Sequence, residues 1–269
     1  PEPEWEARYM HTSVALPDGS IVLIGGEVDG YDNLHDVWRS TDNGATWIEM
    51  NPEPGWEARY EHTSVALPDG SIVLMGGWAG YPAYRKNDVW RSTDNGATWT
   101  EMTASAEWSE RWKHTSVALP DGSIVLMGGF DYAGHLKNDV WRSTDNGATW
   151  TEMTASAEWS ARSDHTSVVL PDGSIVLMGG GNDVWRSTDN GATWTEMTAS
   201  AEWSGRAGHT SVVLPDGSIV LMGGNVGSYF HKNDVWRSTD NGATWTEMTG
   251  SAEWSGRAGH TSVVLPDGS

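Results

Sequence analysis

The stretch that decides the fold is Asn87–Thr103, NDVWRSTDNGATWTEMT. Nearly the same words begin again at Asn138, Asn182 and Asn233. A second phrase, HTSV, begins at His11, His62, His114, His165, His209 and His260. The successive intervals between these histidines are 51, 52, 51, 44 and 51 residues. A period near fifty residues is typical of repeat proteins in which each unit is one supersecondary element.

Each unit contains the signals for two hairpins. HTSVVL and IVLMGG are joined by the turn sequence PDGS, and NDVWRST is joined to WTEM by DNGAT. Val, Ile, Thr and Trp favour strands, while Asp, Asn and Gly supply the backbone conformations that tight turns need. Stretches long enough for a helix are interrupted by Gly, Pro or β-branched residues. The unit is therefore predicted to be four short antiparallel strands.

The apolar run IVLMGG indicates how the units assemble. It is apolar at every position instead of alternating with polar residues, which is typical of a strand covered on both faces. Four-stranded sheets repeated at this period and packed face to face around an axis make a β-propeller. The sequence thus predicts an all-β fold, with residues 1–10 as a linker of the inter-blade type and 11–269 as one propeller. Its five complete blades are predicted at residues 11–51, 62–103, 114–154, 165–198 and 209–249.

The copy number leaves one segment over. HTSV occurs six times but DVWRSTDNGATW five times, so residues 260–265 are predicted to be a surplus first strand. In a five-bladed ring, this strand would compete with His11–Leu16 for one position, or would pair with another copy of the chain. Alternatively, the chain is part of a six-bladed or longer array.

These repeated sequence segments resemble two known propeller motifs. Arg and His three residues apart (RYMH, RYEH, RWKH, RSDH, RAGH), a Gly pair, DVW and a later Trp are similar to the kelch repeat of galactose-oxidase-like central domains. STDNGATW resembles the Asp-box, or BNR repeat, of sialidases. Together the resemblances cover nearly the whole chain and imply a propeller, but such propellers include enzymes, lectins and adaptors. They also resemble arrays in large secreted or surface proteins, so an extracellular or cell-surface location is expected.

Composition excludes several function classes. The formal net charge of -21 disfavours nucleic acid and anionic membranes, because phosphate binding needs clustered Lys and Arg. The chain has no Cys, so thiolate metal sites and the Cys–Tyr copper centre of galactose oxidase are excluded. No apolar run is long enough to span a membrane, and the Pro-rich start does not have the pattern of a signal peptide.

The repeated polar residues are interpreted as structural. An Asp in a tight turn commonly accepts hydrogen bonds from backbone N–H groups of that turn. That role is predicted for the Asp of each Asp-box, namely Asp42, Asp94, Asp145, Asp189 and Asp240. Calcium is not expected there, because the later ligands of an EF-hand loop do not follow. The Arg-x-x-His pairs recur in every unit, which favours packing and backbone bonding over an anion site at the axis.

The residues that differ between units are predicted to form the binding site. They lie in the loop after the Gly pair and at the two positions before His, and strand direction puts both on one face of the propeller. This face is rich in aromatic residues, which suit recognition because they bring large contact area at low entropic cost. The predicted ligand-binding residues are Tyr9, Tyr31, Tyr60, Trp78, Tyr81, Tyr84, Arg85, Trp112, Lys113, Phe130, Tyr132, His135, Tyr229 and Phe230.

The sequence therefore favours a non-enzymatic recognition module for a protein or a glycan, with no cofactor or metal. A structural spacer, or a designed or recently duplicated repeat scaffold without a ligand, is the main alternative. A glycan-active enzyme is the third, because unrepeated acids and histidines on the variable face could form a carboxylate pair or a metal site. These residues are Glu27, Asp29, Asp32, His35, Asp131, His135, Asp164 and His231.

Overall fold

A computed structural model of the chain describes residues 5–28, 32–80, 85–227 and 230–268. Five four-stranded antiparallel sheets, the blades, follow one another along the sequence. Blade one contains β1 (Thr12–Ala15), β2 (Ile21–Val28), β3 (Asp32–Ser40) and β4 (Ile48–Asn51). Blade two contains β5 (Thr63–Ala66), β6 (Ile72–Met75), β7 (Val89–Ser92) and β8 (Thr100–Thr103). The described residues contain no helix, and so none long and apolar enough to span a membrane.

Blades three to five repeat this pattern with short additional strands in two of their loops. Blade three contains β10 (Thr115–Ala118), β11 (Ile124–Met127), β13 (Val140–Ser143) and β14 (Thr151–Thr154), and β9 (Arg111–Trp112) pairs with β12 (Phe130–Asp131). Blade four contains β15 (Thr166–Val169), β16 (Ile175–Met178), β17 (Val184–Ser187) and β18 (Thr195–Thr198). Blade five contains β19 (Thr210–Val213), β20 (Ile219–Met222), β23 (Val235–Ser238) and β24 (Thr246–Thr249), and β21 (Asn225–Val226) pairs with β22 (Phe230–His231). The predicted all-β propeller with five complete blades is thus confirmed.

The Gly pair that ends each second strand is required by both backbone conformation and space. Gly76 and Gly77 have φ values of +64° and +97°, in the region that favours glycine. A Cβ at Gly76 would lie 2.8 Å from Cε1 of His114, and one at Gly77 would lie 2.7 Å from Cβ of His62. The pair therefore allows the histidine of its own unit and the histidine of the next unit to approach the backbone at the end of this strand.

Four apolar cores lie between successive blades, from the first to the fifth. Between blades four and five, the core joins Val176, Val184 and Trp203 to Ile219 and Leu221, and the other three have equivalent composition. The IVLM strands supply both sides of these cores, with one alternate set of side chains to each neighbouring blade. This two-sided burial explains why the sequence of these strands does not alternate.

The first-strand segments form a closed ring of six, although only five blades are complete. The residue before each HTSV histidine donates its backbone N–H to the carbonyl of its counterpart in the preceding unit, at 2.8–3.2 Å. These bonds run from Glu61 to Met10, Lys113 to Glu61, Asp164 to Lys113, Gly208 to Asp164, Gly259 to Gly208 and Met10 to Gly259. Because the last bond returns to the first unit, residues 257–268 occupy a sixth position between blade five and blade one.

The expectation that His11–Leu16 and His260–Leu265 compete for one position is therefore wrong. The first segment contains β1, which pairs with β2, while residues 260–265 form no strand ladder. Nε2 of His260 lies 3.5 Å from Oγ1 of Thr210 in blade five, and Oγ1 of Thr261 lies 3.2 Å from Nε2 of His11 in blade one. The two segments are neighbours in one ring because six units, not five, surround the axis.

Candidate functional site

The two kinds of variable segment meet on one face of the propeller. Tyr60, just before its histidine, forms an antiparallel bridge with Trp78, just after its Gly pair. Trp112 and Phe130 are opposite each other in the same way in the short sheet of β9 and β12. We call this side of the molecule the variable face, and the side that carries the PDGS and DNGAT turns the constant face. The predicted shared face is observed in blades one to three.

Four aromatic side chains from these segments form a continuous row, which we call the aromatic row. Tyr60 stacks on Trp78 with ring centroids 6.2 Å apart and an interplanar angle of 14°. The ring centroids of Trp78 and Trp112 are 4.5 Å apart, and those of Trp112 and Phe130 are 6.1 Å apart. All four side chains are half-buried, so the row has one side packed on the protein and one side accessible. Contacts across units therefore hold these rings in place.

Arg85 lies over this row. Its guanidinium carbon is 4.6 Å from the ring centroid of Trp78, 5.3 Å from that of Trp112 and 5.6 Å from that of Tyr132. Such cation–π contacts are stabilising, and more so where water is excluded. Nε of Arg85 and Nε1 of Trp112 are buried, and neither has a hydrogen-bond partner among the described residues. The site thus combines an apolar surface of tilted aromatic rings with a guanidinium group held over it.

A charged cluster lies beside the row, at the opening of the axial channel on the variable face. Nζ of Lys113 is 3.3 Å from Oε1 of Glu61 and 3.1 Å from Oδ2 of Asp164. The opening is a cavity of about 510 Å³, bordered also by Tyr9, His231 and the glycines of the fifth and sixth units. Oε2 of Glu61 is buried without a hydrogen-bond partner in the described part of the chain. We call this cavity the axial mouth.

Burial controls the protonation of this cluster. Burial, only partly offset by Lys113, raises the pKa of Glu61 to about 8. Although burial would lower the pKa of Lys113, the charges of Glu61 and Asp164 outweigh it and raise that pKa above its ordinary value. Burial and the charges of Glu27 and Glu61 raise the pKa of Tyr60 to about 12. The mouth therefore gains negative charge near neutral pH, and its one lysine stays protonated.

The constant face provides a contrasting opening. The cavity there, of about 500 Å³, is lined only by Ala, Val, Leu and Pro residues of the PDGS turns and the strands before them. It therefore offers no ionisable side chain. The two openings differ because the charged and aromatic residues that vary between units lie at the other opening, whereas the variation here is between Ala and Val.

Other predicted site residues lie apart from the row. Asp131 in blade three accepts a hydrogen bond from the backbone N–H of His135 at 2.9 Å and contacts Lys137 at 3.1 Å. These interactions outweigh burial and lower the pKa of Asp131 to about 2. Tyr9 pairs with Glu27 in blade one, and Phe230 is 73% exposed on blade five. Four predicted site residues lie outside the described residues: Tyr31, Tyr81, Tyr84 and Tyr229.

The sequence interpretation missed Glu61 as part of the site. Glu61, Lys113 and Asp164 occupy the same position in three successive units, directly before the histidine, and the backbone there has a positive φ of 52–55°. The other members of this position are Met10, Gly208 and Gly259. Comparison of the units at this position shows two acids, Glu61 and Asp164, on either side of one base, Lys113, in the ring of six units. That comparison was the signal available in the sequence.

The repeated Arg-x-x-His pairs are internal. The guanidinium of Arg59 forms two hydrogen bonds with the carboxylate of Asp88, at 2.6 and 2.8 Å, and a third with the carbonyl of Gly76. Burial alone would raise the pKa of Asp88, but these bonds and the arginine charge hold it below its ordinary value. Nε2 of His62 lies 3.0 Å from Oγ1 of Thr12 in the preceding blade. These contacts support the interpretation of the pairs as packing residues.

The repeated DNGAT aspartates have turn geometry. Oδ1 of Asp94 accepts the backbone N–H of Thr98 at 2.8 Å, and Oδ2 accepts the hydroxyl of Thr98 at 2.6 Å. Asp42, Asp145, Asp189 and Asp240 accept the same two bonds in their own turns. Since both oxygens are already engaged within the turn, each carboxylate has a structural role that requires no ion.

Among the unrepeated acids and histidines considered for catalysis, Asp131 and His135 contact each other at 3.4 Å, and others have partners outside this set. His35 contacts Glu53 at 3.2 Å, Asp164 contacts Lys113, and Asp131 contacts Lys137. Within residues 5–28, 32–80, 85–227 and 230–268, no group of three or more His, Asp or Glu side chains could hold a metal ion. Asp29 lies outside these ranges.

Comparison with known proteins gives the family. The model of the KLHDC2/KLHL20/DRC7 Kelch-repeats domain matches residues 2–180, and that of Sortilin, neurotensin receptor 3, matches residues 138–261. Human Multiple epidermal growth factor-like domains protein 8 is 30% identical over 62% of this chain and 5% of its own length. A xyloglucanase from Paenibacillus sp is 25% identical over 62% of this chain and 18% of its own. The F-box/kelch-repeat protein At1g51550 of Arabidopsis thaliana is 26% identical over 50% of this chain and 30% of its own.

The chain thus spans well under half of the length of each of these relatives, which differ widely in name. The kelch family model covers more than half of the chain, and the five blades carry the Arg, His, Gly-pair and Trp positions that carry the resemblance. The chain therefore belongs to the family of kelch-repeat β-propellers.

Proposed function

We propose that this chain is a non-enzymatic interaction module that binds a polypeptide partner on its variable face, through the aromatic row, Arg85 and the axial mouth. The observation that carries the proposal is the row itself, four rings from blades two and three held in mutual contact beneath one arginine. Interfaces concentrate their binding energy in such clusters of aromatic and Arg side chains. Kelch-repeat relatives support a protein as the partner class.

The charges beside the row favour a partner segment with a basic group. Glu61 and Asp164 face one lysine at the axial mouth, and the whole chain carries a formal charge of -21. A cationic side chain of the partner could contact Asp164, whose side chain is partly exposed beside Lys113. Long-range attraction by the acidic surface would also accelerate association.

A glycan is the second candidate ligand. Flat aromatic surfaces also suit sugar rings, and a xyloglucanase is among the similar proteins. The two ligand classes differ in one respect that can be measured. Binding of a basic peptide should weaken with salt, because it involves charge, whereas binding of a neutral glycan should not.

The test uses a substitution that the chain itself supplies. Trp112→Ala with Lys113→Gly converts RWKH into RAGH, the sequence of Arg206–His209 in blade five. Gly suits the positive φ of Lys113, so the fold should be preserved. The wild type and this variant are compared on random peptide and glycan arrays, with Ile48→Ala as the control, because Ile48 is 67% exposed and lies in blade one's outermost strand.

Peptide binding that is lost in the double variant and retained in Ile48→Ala is the expected result. Glycan binding with the same dependence on the aromatic row would assign the second candidate. Absence of binding to both arrays would favour a structural spacer, and binding that the double variant retains would contradict the proposed site. A large fall in the melting temperature of the double variant would show instead that these rings serve the core.

A further inference from the structure

The sixth unit, residues 257–268, contains side chains whose equivalents in the five blades bind residues of the outer strands. Those outer strands are not among the described residues of the sixth unit. Its Arg257 accepts a backbone hydrogen bond from Gly224 at 2.9 Å and donates one to Lys232 at 3.1 Å, which are the bonds that fix the equivalent arginines. Each of those arginines forms a bidentate pair with the Asp of DVW in its own unit, namely Arg8–Asp36, Arg59–Asp88, Arg111–Asp139, Arg162–Asp183 and Arg206–Asp234. Arg257 is exposed, and in the described part of the chain its side chain bonds only to Ser255.

Trp254 and Glu253 show the same pattern. In the complete units, the Trp that precedes the Arg-x-x-His pair meets the Trp of ATW edge to face, for example Trp203 and Trp245 at 6.0 Å. The neighbouring glutamate, Glu202, accepts the backbone N–H of Trp245 at 3.0 Å. Trp254 is half-exposed, and its one ring contact among the described residues is with His260, while Glu253 is exposed.

The sheet face of blade five next to this position is apolar and incompletely covered. Val220, Met222 and Val235 are partly exposed. Their counterparts in blade four, Val176, Met178 and Val184, are completely buried against blade five. On the other side of the position, Ile21 of blade one is also partly exposed, although the equivalent isoleucine is buried in every other blade.

We propose that this face binds the second, third and fourth strands of one further repeat of the same sequence, which would complete a sixth blade on residues 260–265. The core between blades four and five defines the chemistry of the occupant, because it shows what packs on an identical face. The occupant must contain an IVLM strand that packs on this face. It must also contain the Asp of a DVW segment, which would pair with Arg257, and the Trp of an ATW segment, which would pack on Trp254. Backbone pairing would extend inward to residues 260–265, which have no strand partner of their own.

The chain contains a compact probe for this site. Residues 174–198, SIVLMGGGNDVWRSTDNGATWTEMT, are the outer three strands of blade four with the shortest loop of any unit. A synthetic peptide of this sequence should bind the whole chain in a one-to-one ratio, measured by isothermal titration calorimetry. At a free concentration about a hundredfold above its Kd, the peptide should raise the melting temperature by about 5 to 10 °C.

Arg257 and Asp183 of the peptide provide a double-mutant cycle. Arg257→Ala should leave the melting temperature of the free protein unchanged, because this arginine has no acidic partner among the described residues, but should weaken peptide binding by about ten- to a hundredfold. Asp183→Ala in the peptide should have the same effect, and the two changes together should weaken binding little further. Additive losses would show that the pair does not form and would overturn the proposed register.

A fusion tests the proposal independently of peptide solubility. Residues 175–198 appended directly after Ser269 continue the repeat in frame. The fusion should melt at a higher temperature than the chain itself, and Arg257→Ala should now destabilise it. An unchanged melting temperature would contradict the proposal.

Discussion

Acidification from pH 7 to pH 5 should destabilise this propeller strongly, through the histidines of the HTSV segments. Burial, followed by the charge of the nearby arginine of the same unit, lowers the pKa of His62, His165 and His209 to about 3. His114 has the same environment, and its pKa also lies well below the ordinary value. These imidazoles are therefore neutral in the folded protein over the whole of this pH range.

The sign of the effect follows from proton binding. An unfolded histidine takes up a proton below a pH of about 6.5, whereas these folded histidines do not until about 3, so unfolding takes up protons in between. Stability is fully present above pH 6.5 and decreases as the pH falls. At pH 5 each of the three histidines costs about 2 kcal/mol, since one pKa unit corresponds to about 1.4 kcal/mol. Their sum of about 6 kcal/mol is comparable with the total stability of a typical domain.

The assay is urea denaturation at pH 7.5, 6.5, 5.5 and 5.0, followed by tryptophan fluorescence. In a Glu61→Gln background, which removes the opposing titration of Glu61, the free energy of unfolding should be nearly constant above pH 6.5 and should then fall by several kcal/mol. His165→Gln is the matched variant, because Nε2 of His165 has no hydrogen-bond partner among the described residues and the substitution removes one titrating group. Between pH 6.5 and pH 5, the free energy of unfolding of this variant in the same background should fall by less than that of Glu61→Gln alone, and the difference should equal the contribution of one histidine. A free energy that does not change between pH 7.5 and pH 5 would refute the reasoning.

Three further predictions concern single side chains. Glu61→Gln should stabilise the protein more at pH 8 than at pH 5, because the carboxyl of Glu61 ionises above about pH 4.5 in the unfolded chain but stays protonated up to about 8 in the folded protein, which favours unfolding over this range; equal effects at both pH values in urea denaturation would contradict this. Arg59→Ala should lower the free energy of unfolding by about 3 to 5 kcal/mol, because it leaves the buried carboxylate of Asp88 without its arginine. Arg257→Ala should lower it little, so equal losses in the two variants would contradict the pairing argument. Asp145→Ala should cost about 1 to 2 kcal/mol by depriving the Thr149 backbone N–H and hydroxyl of their acceptor, and EDTA should not change the melting temperature of the wild type, whereas a fall on chelation would indicate a bound ion.

Local sequence determined the strands, the turns and the placement of the variable positions. The IVLM strands, the PDGS and DNGAT turns and the Gly pair are predictable because their causes lie within a few residues, in side-chain shape and in backbone conformation. Strand direction alone then puts the segments around Tyr60 and Trp78 on the same face, as the structure shows. The aromatic composition of the predicted site could likewise be read directly from the differences between units.

Tertiary structure decided which of these residues touch and how many units surround the axis. The row from Tyr60 to Phe130, the Arg85 contacts and the cluster of Glu61, Lys113 and Asp164 join residues of different units, whose separation depends on the angle between blades. The position of residues 257–268 depends on the same angle. Short-range turn and strand preferences do not determine the angle between blades, because this angle results from packing between whole sheets. The structure shows its outcome in the backbone bonds from Met10 to Gly259 and from Gly259 to Gly208, which close a ring of six units.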